Sequence, residues 1–346
     1  MGARSGALAV LHGMGGCGYS KSSVYDIDIK EGHMDTKTIS DRIAVLKANI
    51  EKRIVGKGEV IDKLIIALLS EGHVLIEDVP GVGKTSLAKA LADSLSLSFS
   101  RIQCTPDTMP ADITGVSIYN AKSGEFEVMP GPVMNNIVLA DELNRTSPKT
   151  QSALLEAMEE KKVTIDGKSM DLPEPFMVIG TQNPMETAGT YPLPEAQLDR
   201  FMMKLSVGYP DKADALKMAD SFLLGTLHEV TQTVLTGEDI TDMRECVQKT
   251  GVDGKLTDYA VMIVEATRSY EDISCGASPR ALLSLLRCAQ AFAVFAGRDY
   301  CIPEDVLRSA LLTLPHRLVL TSQAKMNRTT QAQALKRITD RIKVPS

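Results

Sequence analysis

The sequence predicts an α/β fold: a parallel sheet layered between helices in an αβα arrangement, followed by an all-helical region. Three observations predict it. Short apolar runs of four or five residues, His73 to Glu77, Ile137 to Ala140 and Phe176 to Ile179, have the character of strands buried on both faces. Each run ends in residues able to handle phosphate or water. After Tyr209-Pro210 the pattern turns helical.

Length and composition set the frame. At 346 residues the chain has room for about two domains, at roughly 150 residues each. Hydrophobic residues make up 44% and charged residues 24%, which excludes disordered, collagenous and disulfide-scaffold classes. The net charge of −6, the 15 aromatics and the absence of Trp offer little to a polyanion or to stacked single-stranded bases. Six cysteines without Cys-x-x-Cys or ligand-spaced His read as reduced thiols, mostly small core residues, in a cytoplasmic protein. No apolar run approaches the roughly 18 residues needed for a membrane span.

Residues 1–33 read as a flexible leader, with Gly32-His33-Met34 resembling a cloning junction before a start at Met34. Gly13-Met-Gly15-Gly16-Cys-Gly18 fits G-x-G-x-x-G, but no helix pattern opens on its last Gly, so a dinucleotide site is not expected there.

A nucleotide-binding domain is expected over 34–210. Ile39, Ile43, Leu46 and Ile50 recur at helical spacing, and a second helix covers Glu59 to Ser70. The first strand leads into Asp78-Val-Pro80-Gly81-Val82-Gly83-Lys84-Thr85-Ser86 and a helix. Strand, Gly-rich turn, Lys-Thr and helix together hold a triphosphate. Backbone N–H groups cup the phosphates, Lys84 reaches their outer oxygens, and Thr85 can ligate Mg²⁺. The consensus opens with Gly; this chain has Asp78.

The second strand ends in Asp141-Glu142. Beside a phosphate loop, Asp141 can hold a water of the Mg²⁺ shell and Glu142 can polarise the attacking water; alone, the pair would suit a solvated loop. The third strand ends in Gly180-Thr-Gln-Asn183-Pro, and an uncharged amide there can orient water. Arg200 precedes the strand-like run Met202 to Val207. It is open to two readings, a surface ion pair or a finger acting on a neighbouring subunit.

Together these residues resemble the MoxR family of AAA+ ATPases, a subgroup with an insert in helix 2 and related to magnesium chelatase ATPase subunits. The match runs from about Ile39 to Leu320. It includes Glu77 to Thr85, Gly131-Pro-Val133, Leu139 to Arg145, Gln151 to Met158, Gly180 to Met185 and, most specifically, Gly189-Thr-Tyr-Pro-Leu-Pro-Glu-Ala-Gln-Leu-Asp-Arg-Phe201. The resemblance implies an AAA+ domain and an all-α lid in a hexameric ring, with ATP at each subunit boundary. It makes Lys84 and Thr85 phosphate and Mg²⁺ ligands, Asp141 and Glu142 the Walker B pair, Asn183 sensor 1 and Arg200 the arginine finger. Arg280, opening a helix in Gly276-Ala-Ser-Pro-Arg280, matches sensor 2, acting within its subunit or across the boundary; a solvated helix-start Arg is the bland reading. Val55 and Gly56 resemble the segment against adenine.

Inserts near 112–129 and 161–172 carry hairpin signals: alternation around Lys122-Ser-Gly124, and Asp166-Gly167 after Lys162-Val-Thr-Ile165. They are surface hairpins or, by resemblance, pore hairpins that couple the ATP cycle to a bound protein.

Residues 211–237 are expected as a linker with a helix over Asp211 to Leu224 and a β-like stretch Glu229 to Leu235. A lid is expected over 238–320, with helices near Glu238 to Lys249, Thr257 to Tyr270, Pro279 to Phe295 and Pro303 to Leu314. Residues 321–346 carry six cations against Asp340 and read as a solvated terminal helix rather than a partner or nucleic-acid contact. The resemblance thus implies an ATP- and Mg²⁺-dependent remodeller or maturation factor for a protein complex, working with a separate von Willebrand factor A-domain protein. The alternatives are a nucleic-acid-dependent ring motor, disfavoured by charge and composition, and an ATP-gated scaffold that barely hydrolyses.

Overall fold

The computed structural model describes residues 35–186, 189–225 and 232–345. The expected leader and its Gly13 to Gly18 run lie outside them, as does part of the β-like stretch 229–235. Asp35 caps α1 (Thr36–Glu51) by accepting from the Thr38 N–H at 2.7 Å, and the helix buries Ile39, Ile43, Leu46 and Ile50. After α2 (Gly58–Leu69) come β1 (Val74–Glu77), α3 (Lys84–Ser94) and β2 (Phe99–Gln103). A short α4 (Pro110–Thr114) leads to β3 (Gly115–Asn120) and β4 (Glu125–Pro130), an antiparallel hairpin. Then follow β5 (Ile137–Asp141), a 3₁₀ turn at Leu143–Arg145, and α5 (Pro148–Glu160), capped by Ser147 with Pro at its first turn. The second hairpin is β6 (Lys162–Ile165) and β7 (Lys168–Asp171). The domain closes with β8 (Met177–Gln182), α6 (Glu195–Leu198) and β9 (Met203–Leu205).

The main sheet has the order β2-β5-β8-β1-β9, with every pairing parallel. Its strands are apolar on both sides because both sides are covered. Along β5, Ile137 and Leu139 join α1, α2 and α3 in one cluster, while Val138 and Ala140 join Leu154, Leu155 and Met158 of α5 in another. That alternation builds the αβα layers. Parallel strands also place the ends of β1, β5 and β8, and so the loops after them, along one edge of the sheet.

The rest is mostly helical: α7 (Lys212–Leu223), α8 (Gly237–Lys249), α9 (Gly254–Ser269), β10 (Ile273–Cys275), α10 (Pro279–Phe295) and α11 (Pro303–Thr313). A 3₁₀ turn at Pro315–Arg317 precedes β11 (Val319–Leu320), α12 (Ser322–Met326) and α13 (Gln331–Thr339). Two short strands, β10 and β11, pair antiparallel among these helices.

The expectation that α8 opens the lid is modified by its packing. Ile240, Met243 and Val247 belong to the cluster of α1 and α2, and Arg244 Nε donates to the Leu68 carbonyl at 2.9 Å. The lid cluster proper comes from α9, α10, α11 and the C-terminal helices.

The solvated terminal helix is corrected. The charges of α13 lie on one side, and on the other Ala334, Leu335 and Ile338 are buried against α9 and α11. Counting cations hid an amphipathic face.

Candidate functional site

The phosphate loop connects β1 to α3. Gly81 and Gly83 have φ of +83° and +89°, and a Cβ at either would meet nothing within 4 Å. Glycine is therefore demanded by the left-handed backbone, and the space beside it is open. Lys84 and Thr85 are the first residues of α3, and Lys84 Nζ donates to the Asp78 carbonyl at 2.9 Å across the loop.

Asp78, the departure from consensus, has a clear structural task. It is 8% exposed, and its carboxylate accepts from Val79 N–H (2.8 Å), Ser206 Oγ (2.9 Å), Val207 N–H (2.8 Å) and Gly208 N–H (2.6 Å). Burial raises its pKa, but the Gly208 N–H and the other three donors outweigh that and hold the carboxyl below the ordinary range. The loop is thus clamped to the chain leaving β9. Lys204 on β9 also pairs with Glu77 on β1 at 2.6 Å.

A cavity of about 180 Å³ opens beside the loop, lined by Ile54, Val55, Gly81, Gly83, Pro210 and Met218, among others. Its apolar walls on one side and loop amides on the other suit a base and its phosphates. Met218 shows that α7, expected as linker, forms part of the wall. Gly56 (φ +73°) is pressed by the Asp214 side chain of α7, where a Cβ would collide.

Asp141 ends β5, and Glu142 follows in the left-handed region at φ 58°. Thr181 on β8 joins them: its Oγ1 donates to Asp141 Oδ1 at 2.7 Å and accepts from the Glu142 N–H at 2.9 Å. Arg101 from β2 pairs with Asp141 Oδ2 at 2.5 Å. Glu142 Oε2 receives Arg145 Nη1 at 2.9 Å and Gln103 Nε2 at 3.3 Å. Asn183 is buried at the end of β8, between the two strands that carry the loop and the carboxylates, and its Oδ1 accepts from the Met185 N–H at 3.1 Å. Sequence reasoning missed Thr181, Arg101 and Gln103. Thr181 stood inside a quoted motif, but its bridging role needs the β5–β8 register.

Arg200 and Arg280 lie elsewhere. Arg200 Nη2 is 3.1 Å from Glu159 Oε2, and Arg280 pairs with the other oxygen of the same carboxylate. With Arg317, Asp199, His73 and Ser284 they line a second cavity of about 210 Å³. The structure therefore brings the two arginines to each other and not into the lining of the loop cavity. Among the described residues, no group of three or more His, Cys, Asp or Glu could hold a metal ion by itself. A nucleotide-bound Mg²⁺ takes most of its ligands from phosphate and water, and Thr85 at the start of α3 and Asp141 at the end of β5 carry oxygen donors of the kind it accepts.

A parallel sheet with a phosphate loop after β1, paired carboxylates after β5, an amide after the strand between them, and a helical lid defines a P-loop nucleotide-binding protein of the AAA+ class. Comparison with known proteins agrees. Residues 73–203 match the ATPase family associated with various cellular activities (AAA), and residues 265–338 match an AAA lid domain. The chain is 40% identical over 305 residues to chaperone MoxR1 of Mycobacterium tuberculosis, covering 86% of this chain and 80% of that protein. It is 50% identical over 297 residues to the uncharacterised protein YeaC of Bacillus subtilis, covering 86% and 93%. A crystal structure from Cytophaga hutchinsonii, provisionally designated an ATPase, superposes with a TM-score of 0.84 at 39% identity, over 90% of this chain and 97% of that one. The chain belongs to the MoxR family of AAA+ ATPases.

Proposed function

We propose that this chain is a Mg-ATP-hydrolysing ring ATPase, acting in the cytoplasm as a chaperone-like remodeller or maturation factor for another protein complex. The observation that carries the reading is the separation of its charges. Lys84, Thr85, Asp141, Glu142 and Asn183 share one edge of the sheet, whereas Arg200 and Arg280 meet at Glu159 in a different cavity. A transferring phosphoryl group needs cationic stabilisation. Within the subunit Arg101, Arg145 and Arg53 are engaged by Asp141, Glu142 and Asp93, so in this reading Arg200 and Arg280 are given to the adjacent subunit and act in trans, and the active form is a homo-oligomer, by resemblance a hexamer.

In that ring Val55 and Gly56 lie against the base. Pro80, Gly81, Val82, Gly83 and Ser86 shape the phosphate loop, and Lys84 holds the outer phosphates. Thr85 and Asp141 serve Mg²⁺, Glu142 is the general base, and Asn183 positions the attacking water. The β3–β4 hairpin supports a protein client: Tyr119 and Phe126 stack edge to face while exposed, with Ile118 and Met129 also exposed. The MoxR1 relative is named a chaperone, and a separate von Willebrand factor A-domain protein is the partner that the family resemblance suggests.

The test is Mg-ATP turnover per subunit against protein concentration, with Glu142→Gln and Arg200→Ala alongside. The reading requires turnover to rise with concentration, and both variants to bind nucleotide yet lose turnover by about 10²-fold or more. Concentration-independent turnover that survives Arg200→Ala would refute the shared site.

A further inference from the structure

The three-residue segment that carries Arg200 is gripped from the lid. Arg317 is 6% exposed, and its Nη2 reaches the Asp199 carbonyl at 3.1 Å and the Phe201 carbonyl at 3.0 Å, on either side of Arg200. The same nitrogen lies 3.2 Å from Ser284 Oγ on α10, and Nε lies 3.4 Å from the Asp199 carboxylate. Two neighbours add to the hold. His316 Nε2 is 2.9 Å from the Phe201 carbonyl, which can only accept, so that nitrogen carries the proton. Ser278, the cap of α10, places Oγ 3.0 Å from both Asp199 oxygens.

Burying a guanidinium costs several kcal/mol unless acceptors compensate it. Here Nη2 alone reaches the acceptors, the Asp199 and Phe201 carbonyls and Ser284 Oγ, the Asp199 carboxylate is an ion-pair partner, and Nη1 has no hydrogen-bond partner among the described residues. A tie serving only to fasten lid to core could use apolar contacts. One buried guanidinium nitrogen that ties down the Asp199 and Phe201 carbonyls also restrains the direction of the Arg200 side chain between them. Charge in the cavity is organised around this arrangement, with Arg280 and Arg200 sharing Glu159.

We propose that Arg317 is a positioning residue for Arg200, so that the lid of one subunit aims the arginine presented to its neighbour's nucleotide. This rests on the reading of Arg200 as a trans-acting finger. A lid rotation carrying Arg317, His316 and Ser278 must carry the 199–201 backbone with it. The nucleotide state of one site would thereby set the catalytic competence of the next.

The experiment is steady-state ATP turnover of the full chain with Arg317→Met, Arg317→Lys, Arg200→Lys and the Arg317→Met/Arg200→Lys double variant. Thermal melting and fluorescent-ADP binding report folding. Misaiming a catalytic group by about 1 Å can cost on the order of 10²-fold. Arg317→Met should therefore lower kcat about 10- to 100-fold with KM for ATP within about threefold, and Arg317→Lys should recover part of the loss. The double variant should be no worse than the poorer single variant, because one residue acts through the other. If Arg317→Met fails to fold, His316→Gln and Ser278→Ala carry the test, each with an expected kcat loss of about three- to tenfold at unchanged KM. Wild-type kcat in these variants, or losses that multiply with that of Arg200→Lys, overturns the proposal while leaving the finger intact. No loss in Arg200→Ala overturns the finger and this proposal together.

Discussion

Asp78→Ala tests whether the non-consensus residue of the phosphate loop is a clamp. The substitution removes the acceptor of four donors. The Ser206 hydroxyl can rotate to another partner, and the Val79 N–H lies in the partly exposed loop. The Val207 N–H is buried and that of Gly208 partly so. An orphaned buried donor costs about 1–3 kcal/mol, so two give a central expectation of about 4 kcal/mol. At about 2 °C per kcal/mol for a chain of this size, the melting temperature should fall by about 8 °C at pH 7.5. Asp78→Asn keeps one acceptor oxygen, which at the Oδ2 position still serves Ser206, Val207 and Gly208, and should lose well under half as much. The pH dependence has a fixed sign. The folded carboxyl titrates below its ordinary value near 3.8, so the unfolded chain binds the proton more readily. The part of the clamp's stabilisation that depends on the ionised carboxyl is complete well above pH 4 and is lost as pH falls through the folded value, so the gap between wild type and Asp78→Ala should narrow in acid. Differential scanning calorimetry across pH 3 to 8 measures both effects. An Asp78→Ala protein melting within about 2 °C of wild type at pH 7.5 would sink the argument.

Three further outcomes are expected. Thr181→Val removes the hydroxyl joining Asp141 to the Glu142 backbone; phosphate release should fall about 10- to 100-fold while a fluorescent-nucleotide titration stays near wild type. His73 is buried, accepts from the Val178 N–H and is held at about 4 by burial, so it folds neutral. Its contribution is full above pH 6.5 and lost as pH falls toward 4; urea unfolding should show a loss of up to about 3 kcal/mol over that window, flattened in His73→Gln. Leu335→Ala empties a fully buried position on α13 and should cost about 2–5 kcal/mol in denaturant unfolding, where a solvated tail would cost nothing measurable.

Much of this was legible in the residues because the signals are local. The strand before the phosphate loop, the glycines and the helix after them occupy one stretch of chain, and Pro279 and Phe295 bound α10 as their pattern predicts. Strand β2 escaped notice because Phe99 to Gln103 reads polar: an edge strand buries little, and only Ile102 among its residues is buried. The partners of Asp141 and Glu142 escaped for a different reason. Arg101 and Thr181 each sit 40 positions from Asp141 and are brought to it by parallel pairing alone. The meeting of Arg200 and Arg280 at Glu159 likewise required the packing of lid on core, which no spacing encodes.

Helix α10 has a consequence for how this architecture can be recombined. Its Cys288, Ala291 and Val294 are built into the core of the first domain, while Ala281, Leu285, Ala289 and Ala293 are built into the lid. One rod is thus mortared into two walls. A graft exchanging lids between relatives at the apparent seam near residue 237 would import half of a foreign core with every lid, and matching loops alone would not rescue it. The partners of the α10 face built into the first domain, α1, α2 and α8, share their cluster with α3 and the main sheet, so no single cut along the chain leaves both cores whole.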